Sequence, residues 1–260
     1  MFKIIFFNLI RNPKKQKIQQ KGGDKDIQTR FKIIIILYIA IIAISSNFLI
    51  KDIFEYQKSK NSNIKLIKKV ITKEESGIDW AKLEKINKDI IGWIKIENTN
   101  INYPILKDDE KLKYLKYSFN GNQNINGAIF TLNQNPFQQN LTVIHGHNMK
   151  NGIMFSELSK YMDKEFFNQH CTFDIYTKNQ NYKATIFSSY SIGIDVEENN
   201  IKSMNFKDQI EYYKKSSVNF NQNIGEIEKI VKLSTCSYLN SHTTPTNQRY
   251  YIIAKLEPVD

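Results

Sequence analysis

Cysteine, histidine and tryptophan are all scarce in this chain, which has two, four and two of them in 260 residues. Two cysteines, Cys171 and Cys236, cannot staple a small disulfide scaffold. No Cys/His spacing suits a zinc site, and His145-Gly146-His147 alone does not make one. A glycine-rich phosphate loop is missing, and so is any internal repeat. Neither a metal nor a cofactor is therefore expected. Acids are outnumbered, 26 against 37 Lys and Arg, for a net charge of +11. The excess is local: residues 1–32 carry nine basic side chains and two acids, which places +7 there and leaves only +4 for the rest. A mildly basic body argues against a nucleic-acid binder.

Charge is lacking altogether from Ile33 to Ile50. At about 1.5 Å per residue this apolar run spans roughly 27 Å, close to a bilayer core. Basic residues before it predict a single anchor with a cytoplasmic N-terminus and an extracytoplasmic body. Ala43-Ile44-Ser45 resembles a signal-peptide cleavage site, but the 32-residue basic segment is long for a signal peptide and favours an uncleaved anchor. Residues 51–76 are Lys-rich and read as a stalk. A folded domain is expected from Gly77 to the C-terminus, opened by a helix capped by Asp79 with Trp80, Leu83 and Ile86 on one face.

Strand patterns dominate that domain: 91–96, 101–105, 128–132, 141–145, 171–176, 182–190, 230–235 and 250–256. Eight short strands in one domain point to a closed barrel. Helical patterns interrupt them at Met154–Asp163 and Phe206–Ser217.

The run Ile230–Leu233 leads into Ser234-Thr235-Cys236, which sets a thiol at the mouth of a strand, where a rigid scaffold holds a nucleophile. Thirteen residues later, Arg249 opens the last strand. An antiparallel return brings its fork of donors beside Cys236, able to hold a carbonyl or a developing oxyanion. His147 follows Leu141–Gly146 at another strand's end and is the candidate base, with His145 its rival two residues away. His170 and His242 have no comparable context. A Cys171–Cys236 bridge is the competing reading, and it would consume the nucleophile. Cys171 otherwise reads as a small buried hydrophobe.

Together these segments resemble the sortases, cysteine transpeptidases of Gram-positive cell surfaces, and most of all class B. The resemblance covers roughly Ile78 to the C-terminus. It rests on Asp89–Ile94, Ile101–Pro104, Tyr114-Leu115, Gly127–Phe130, Gly146–Met149 with Met154-Phe155, and Leu233–Cys236 with Arg249. It implies an eight-stranded sortase-type barrel, with N-terminal helices and a helix between strands six and seven near Phe206–Ser217. It also implies a mechanism in which Cys236 attacks after the Thr of a C-terminal sorting signal of Asn-Pro-x-Thr or Ser-Pro-x-Thr type, His147 protonates the leaving amine, and Arg249 steadies the carbonyl. The partners implied are secreted proteins bearing the signal and a peptidoglycan amine. Leu115, His145, Ile201, Ser234 and Thr235 would line the groove.

Departures from the family pattern are His145 where tyrosine is usual, Lys111 where an asparagine is expected, Thr131-Leu132-Asn133 without the common aspartate, and Ser237 where an acid occurs. Other exported cysteine peptidases fit less well. Papain-like enzymes place Cys before His and over a helix N-terminus, and the Ser-His-Gly-Cys run of the other peptidoglycan cysteine transpeptidases is absent. A non-catalytic membrane-anchored module with an incidental cysteine is the remaining reading, and thiol alkylation separates it.

Overall fold

The computed structural model describes residues 13–71, 77–109, 112–237 and 247–259, so Lys111 and His242 lie outside the described residues. The chain falls into two units, residues 1–55 and 56–260.

Helix α1 spans Pro13–Val70, and its portion in the first unit carries the apolar run. Its stretch from Gln28 holds a window of mean hydropathy 2.7 with none of it buried, long and apolar enough to cross a membrane. The few polar side chains there satisfy themselves within the helix: Ser45, Ser46 and Asn47 each donate to the carbonyl four residues earlier. In an apolar surrounding such internal pairing removes the cost of a bare polar group.

The second unit is built on a closed barrel. Its strands are β1 (Ile90–Lys95), β2 (Asn102–Lys107), β3 (Ile129–Thr131), β4 (Leu141–His145), β5 (Thr172–Thr177), β6 (Asn181–Gly193), β7 (Ile230–Cys236) and β8 (Gln248–Val259). They pair in the order β5-β1-β2-β3-β4-β7-β8-β6, and β6 pairs back to β5 to close the ring. The pairs β2–β3 and β4–β7 are parallel, the others antiparallel. A two-residue strand, Asn219–Phe220, attaches to β6 outside the ring. All eight strands expected from alternation are present, and closure leaves no long open edge.

The interior is filled by the inward positions of these strands, among them Ile94, Ile105, Ile144, Ile175, Ile186, Val231, Leu233 and Ile252. Period-2 alternation divides β7 between two jobs. Val231 and Leu233 join this inner cluster, while Ile230 packs outside with Phe187, Tyr190, Tyr213, Tyr251 and Ile253. Helices α4 (Ile194–Ile201) and α5 (Phe206–Ser216) cover that outer face from the connection between β6 and β7. The sequence marks α5 but not α4, whose β-branched and asparagine residues are weak helix formers. The expected helix at Met154–Asp163 is instead a 3-10 helix, Ser156–Met162, followed by α3 (Lys164–Gln169).

Helix α2 (Trp80–Ile86) begins where expected: the Asp79 side chain accepts from the Lys82 N–H at 2.9 Å. The unit starts well before Gly77, however. Leu66 and Val70 at the end of α1 are buried with Leu83, Trp93, Leu106 and Phe130, and Asn63 donates to the Asn102 carbonyl at 3.0 Å. Lysines on the other positions of this segment hide the amphipathic stripe from a reading of composition alone.

It follows that a chain begun at residue 56 melts higher than one begun at residue 77. Leu66→Ala in the longer form costs about 2–4 kcal/mol, as for other buried leucines. Thermal unfolding monitored by circular dichroism measures both.

Candidate active site

Cys236 and Arg249 face each other as register partners where β7 and β8 pair, on the strand end that the pattern of the sequence selects. Both are half-buried. Cys171 and Cys236 are free thiols, so the bridge that would have consumed the candidate nucleophile does not form. Cys171 is half-buried at the start of β5, its carbonyl accepting the Ile186 N–H at 2.7 Å.

β4 lies parallel to β7 with His145 opposite Ser234. The chain then continues past the strand end, with the Gly146 N–H donating to the Ser234 carbonyl at 3.2 Å and the Asn148 side-chain amide donating to the Cys236 carbonyl at 2.7 Å. These two bonds tie the loop carrying His147 to the strand end carrying Cys236. Asn148 went unassigned in the sequence, because a hydrogen bond across 88 residues leaves no local pattern.

Small residues let this loop pack. A Cβ on Gly146 would lie 2.5 Å from Ile129 and 2.8 Å from the Phe155 ring. Gly127, at φ +60°, passes so close that a Cβ would meet the Tyr114 carbonyl at 2.5 Å and the His147 ring at 3.0 Å. That approach lays the β2–β3 connection on the imidazole.

There His147 Nε2 lies 2.8 Å from the Leu115 carbonyl oxygen. A carbonyl only accepts, so Nε2 carries the hydrogen and Nδ1 is the nitrogen left to exchange a proton. Leu115 thus holds the ring through its backbone, while its half-buried side chain packs beside Tyr114.

His145 is held in a different state. Burial, with Lys232 and Arg249 adding positive charge, pushes its pKa down to about 4. Its ring leans on Phe130 at 5.5 Å between centroids. An imidazole so placed stays neutral at neutral pH.

The other groove candidates separate. Ser234 is buried on the same face of β7 as Cys236, and Ile201 is half-buried at the end of α4. Thr235 is the exception. Strand alternation turns it to the opposite face, it is 2% exposed, and its hydroxyl has no partner among the described residues. The structure does not bring it to the groove with Ser234. His170 stacks on Phe166 at 4.1 Å and takes no part here. Among the described residues no cluster of His, Cys, Asp or Glu could hold a metal.

The description of a sortase domain matches residues 94–257, well over half of the chain and spanning every element of this site. The chain belongs to the sortase family. It is 37% identical over 160 residues to sortase B of Listeria monocytogenes, a match covering 59% of this chain and 65%, just under two thirds, of that protein. It is 27% identical over 242 residues to sortase B of Staphylococcus aureus, covering 87% and 97%. A solved Staphylococcus aureus sortase B–substrate complex superposes with a TM-score of 0.65 at 26% identity, covering 80% of this chain and all of the other. The eight-stranded barrel is thus the sortase barrel, and the likeness is to class B.

The burial of His145 has a consequence for the stability of this sortase. A histidine whose folded pKa is depressed binds fewer protons than the unfolded chain, so its contribution is complete above about pH 6.5 and is lost as pH falls toward 4. For a shift from 6.5 to about 4 this is on the order of 3 kcal/mol. Urea unfolding from pH 7 to 4 is expected to show that slope in the parent protein and a flatter one in His145→Gln.

Proposed function

We propose that this sortase is a membrane-anchored cysteine transpeptidase acting on C-terminal sorting signals. The observation that carries the reading is the pairing of Cys236 with Arg249 across β7–β8, next to the loop that Asn148 ties down beside them. In the proposed reaction the Cys236 thiol passes its proton to His147, and the sulfur attacks the carbonyl carbon of the signal's threonine. Negative charge gathers on the carbonyl oxygen, where the planar Arg249 fork can meet it. His147 gives its proton to the departing amine, and the bond between threonine and the next residue breaks. A thioester remains on Cys236. A peptidoglycan amine then attacks that thioester, loses a proton, and leaves the secreted protein joined to the wall with the thiol restored.

The Nε2–H bond to Leu115 supports Nδ1 as the nitrogen that handles the proton. His145, held neutral, is a groove wall rather than a second acid. Ser234, Ile201 and Leu115 are the proposed contacts for the signal, of Asn-Pro-x-Thr or Ser-Pro-x-Thr type. Residues 33–50 are the proposed membrane span, with the basic N-terminus in the cytoplasm and the barrel outside. The apolar, unburied helix supports that reading.

Mass spectrometry of the full chain with a panel of such peptides tests the chemistry. A mass added at Cys236, equal to the peptide cut after threonine, is expected in the parent and absent from Cys236→Ala; turnover by Cys236→Ala sinks the assignment. His147→Ala is expected to lose at least about 100-fold in kcat, the usual worth of a positioned acid–base, and His145→Ala far less. Arg249→Lys is expected to be severely impaired because ammonium lacks the planar fork, and near-normal kcat/KM there would reduce Arg249 to a point charge.

A further inference from the structure

A fully buried ion pair stands beside the groove without any part in the chemistry above. Lys232 and Glu197 pair with 3% and 2% of their side chains exposed. Glu197 also accepts from the Tyr190 hydroxyl at 2.6 Å and from the Tyr212 hydroxyl at 2.8 Å. The Lys232 ammonium lies 4.2 Å over the Tyr251 ring and 5.0 Å over the Tyr213 ring. Both charges are thereby hydrogen-bonded or faced by π-density, as their burial requires.

The placement is what gives this pair a role. Lys232, Ser234 and Cys236 share one face of β7 by alternation. Four residues at about 3.3 Å each put Lys232 roughly 13 Å below the thiol along one line. Tyr251 is two residues from Arg249 on β8, again on one face. Glu197 is the sole buried residue of α4, whose last residue is Ile201. Val196 beside it is 50% exposed. Helix α4 therefore buries no apolar side chain fully, Ile194 and Ile201 being half-buried, and its one deep contact is a carboxylate seated on the strand that carries Cys236. An apolar contact tolerates sliding, whereas a carboxylate with three fixed donors accepts only one register.

We propose that Lys232 and Glu197 are positioning residues for the substrate groove: their buried pair fixes α4, and with it Ile201, against the strand that bears Cys236. This rests on the reading of the groove as a sorting-signal site. The pair touches no substrate. It sets where the groove wall stands, so its loss is felt in KM and specificity rather than in the chemical step.

Single substitutions leave one charge buried without its partner and threaten the fold. The informative variant is the full chain, in detergent, with Lys232→Met and Glu197→Gln together, which removes both charges at similar volume. Tyr212→Phe is a milder second variant that removes one hydrogen bond to Glu197. Two readouts are used: hydrogen exchange of the Ile194–Ile201 amides, and kcat and KM with an Asn-Pro-x-Thr-containing peptide. In the double variant, exchange in α4 is expected to quicken by about tenfold or more while the barrel strands stay protected. KM is expected to rise about tenfold with kcat within about threefold of the parent. Tyr212→Phe is expected to move both readouts in the same direction by less. Unchanged exchange with unchanged KM overturns the proposal. So does a parallel fall of kcat and melting temperature, which would make the pair a matter of folding alone. If the parent protein turns over no peptide, the sorting-signal reading fails, and the exchange of α4 still decides whether the pair holds that helix.

Discussion

The antiparallel pairing of β7 with β8 is the constraint on which the site depends. Seven register pairs, from Ile230 with Lys255 to Cys236 with Arg249, fix both chemical groups at one end of one ladder. Beside it, β4 runs parallel to β7 and delivers His147 to the same end. Parallel neighbours need a long crossover. Here that crossover holds β5, β6 and helices α3 to α5. β6 then pairs with both β8 and β5, and so closes the ring. The site is complete only when the barrel is, because its three residues hang on strands brought together by non-local pairing.

Within that frame, environment rather than residue type separates the two histidines. His145 lies two residues from His147, yet burial beside Phe130 and Ser234, aided by the charges of Lys232 and Arg249, holds it neutral. His147 stands past the strand end, with Nε2 committed to a backbone carbonyl and the following residue anchored to the Cys236 carbonyl. A rival base identified by alternation alone is thus removed by burial. The family's usual tyrosine at that position and this chain's histidine share a flat, polar-tipped ring, which fits a wall of the groove better than a proton carrier.

What the sequence made legible follows from the range of the interactions. Each barrel strand announces itself through local alternation and β-branched residues, and the match of all eight reflects cores that demand period 2. Cys236, Arg249 and His147 are legible because each ends or begins such a strand. The hidden elements are those held by distant contacts. The α1 segment through Val70 looks like a lysine-rich stalk until Leu66 and Val70 are seen against Trp93 and Phe130. Helix α4 has weak propensity and one buried acid, whose partner is 35 residues away. The resemblance implies Thr235 as a groove residue, but the two-residue period turns it the other way from Ser234. Nothing local to Lys232 shows that two tyrosine rings and a glutamate face it.

The division of β7 explains how one strand serves both fold and site. Its odd positions, Val231 and Leu233, are welded into the barrel interior, where volume changes are costly. Its even positions run from a buried ion pair at Lys232 through Ser234 to the thiol, along the outer face that α4 and α5 cover. Substitution at Ser234 therefore changes the outer row without entering the barrel interior, whereas loss of Lys232 alone strands a buried charge and substitution on the odd row changes the volume of the scaffold. The deepest contact of helix α4 is polar, with Ile201 half-buried against the outer cluster rather than the barrel interior. The Glu197 carboxylate meets the strand of Cys236 on its outer row, on the side away from Val231 and Leu233 in the barrel interior.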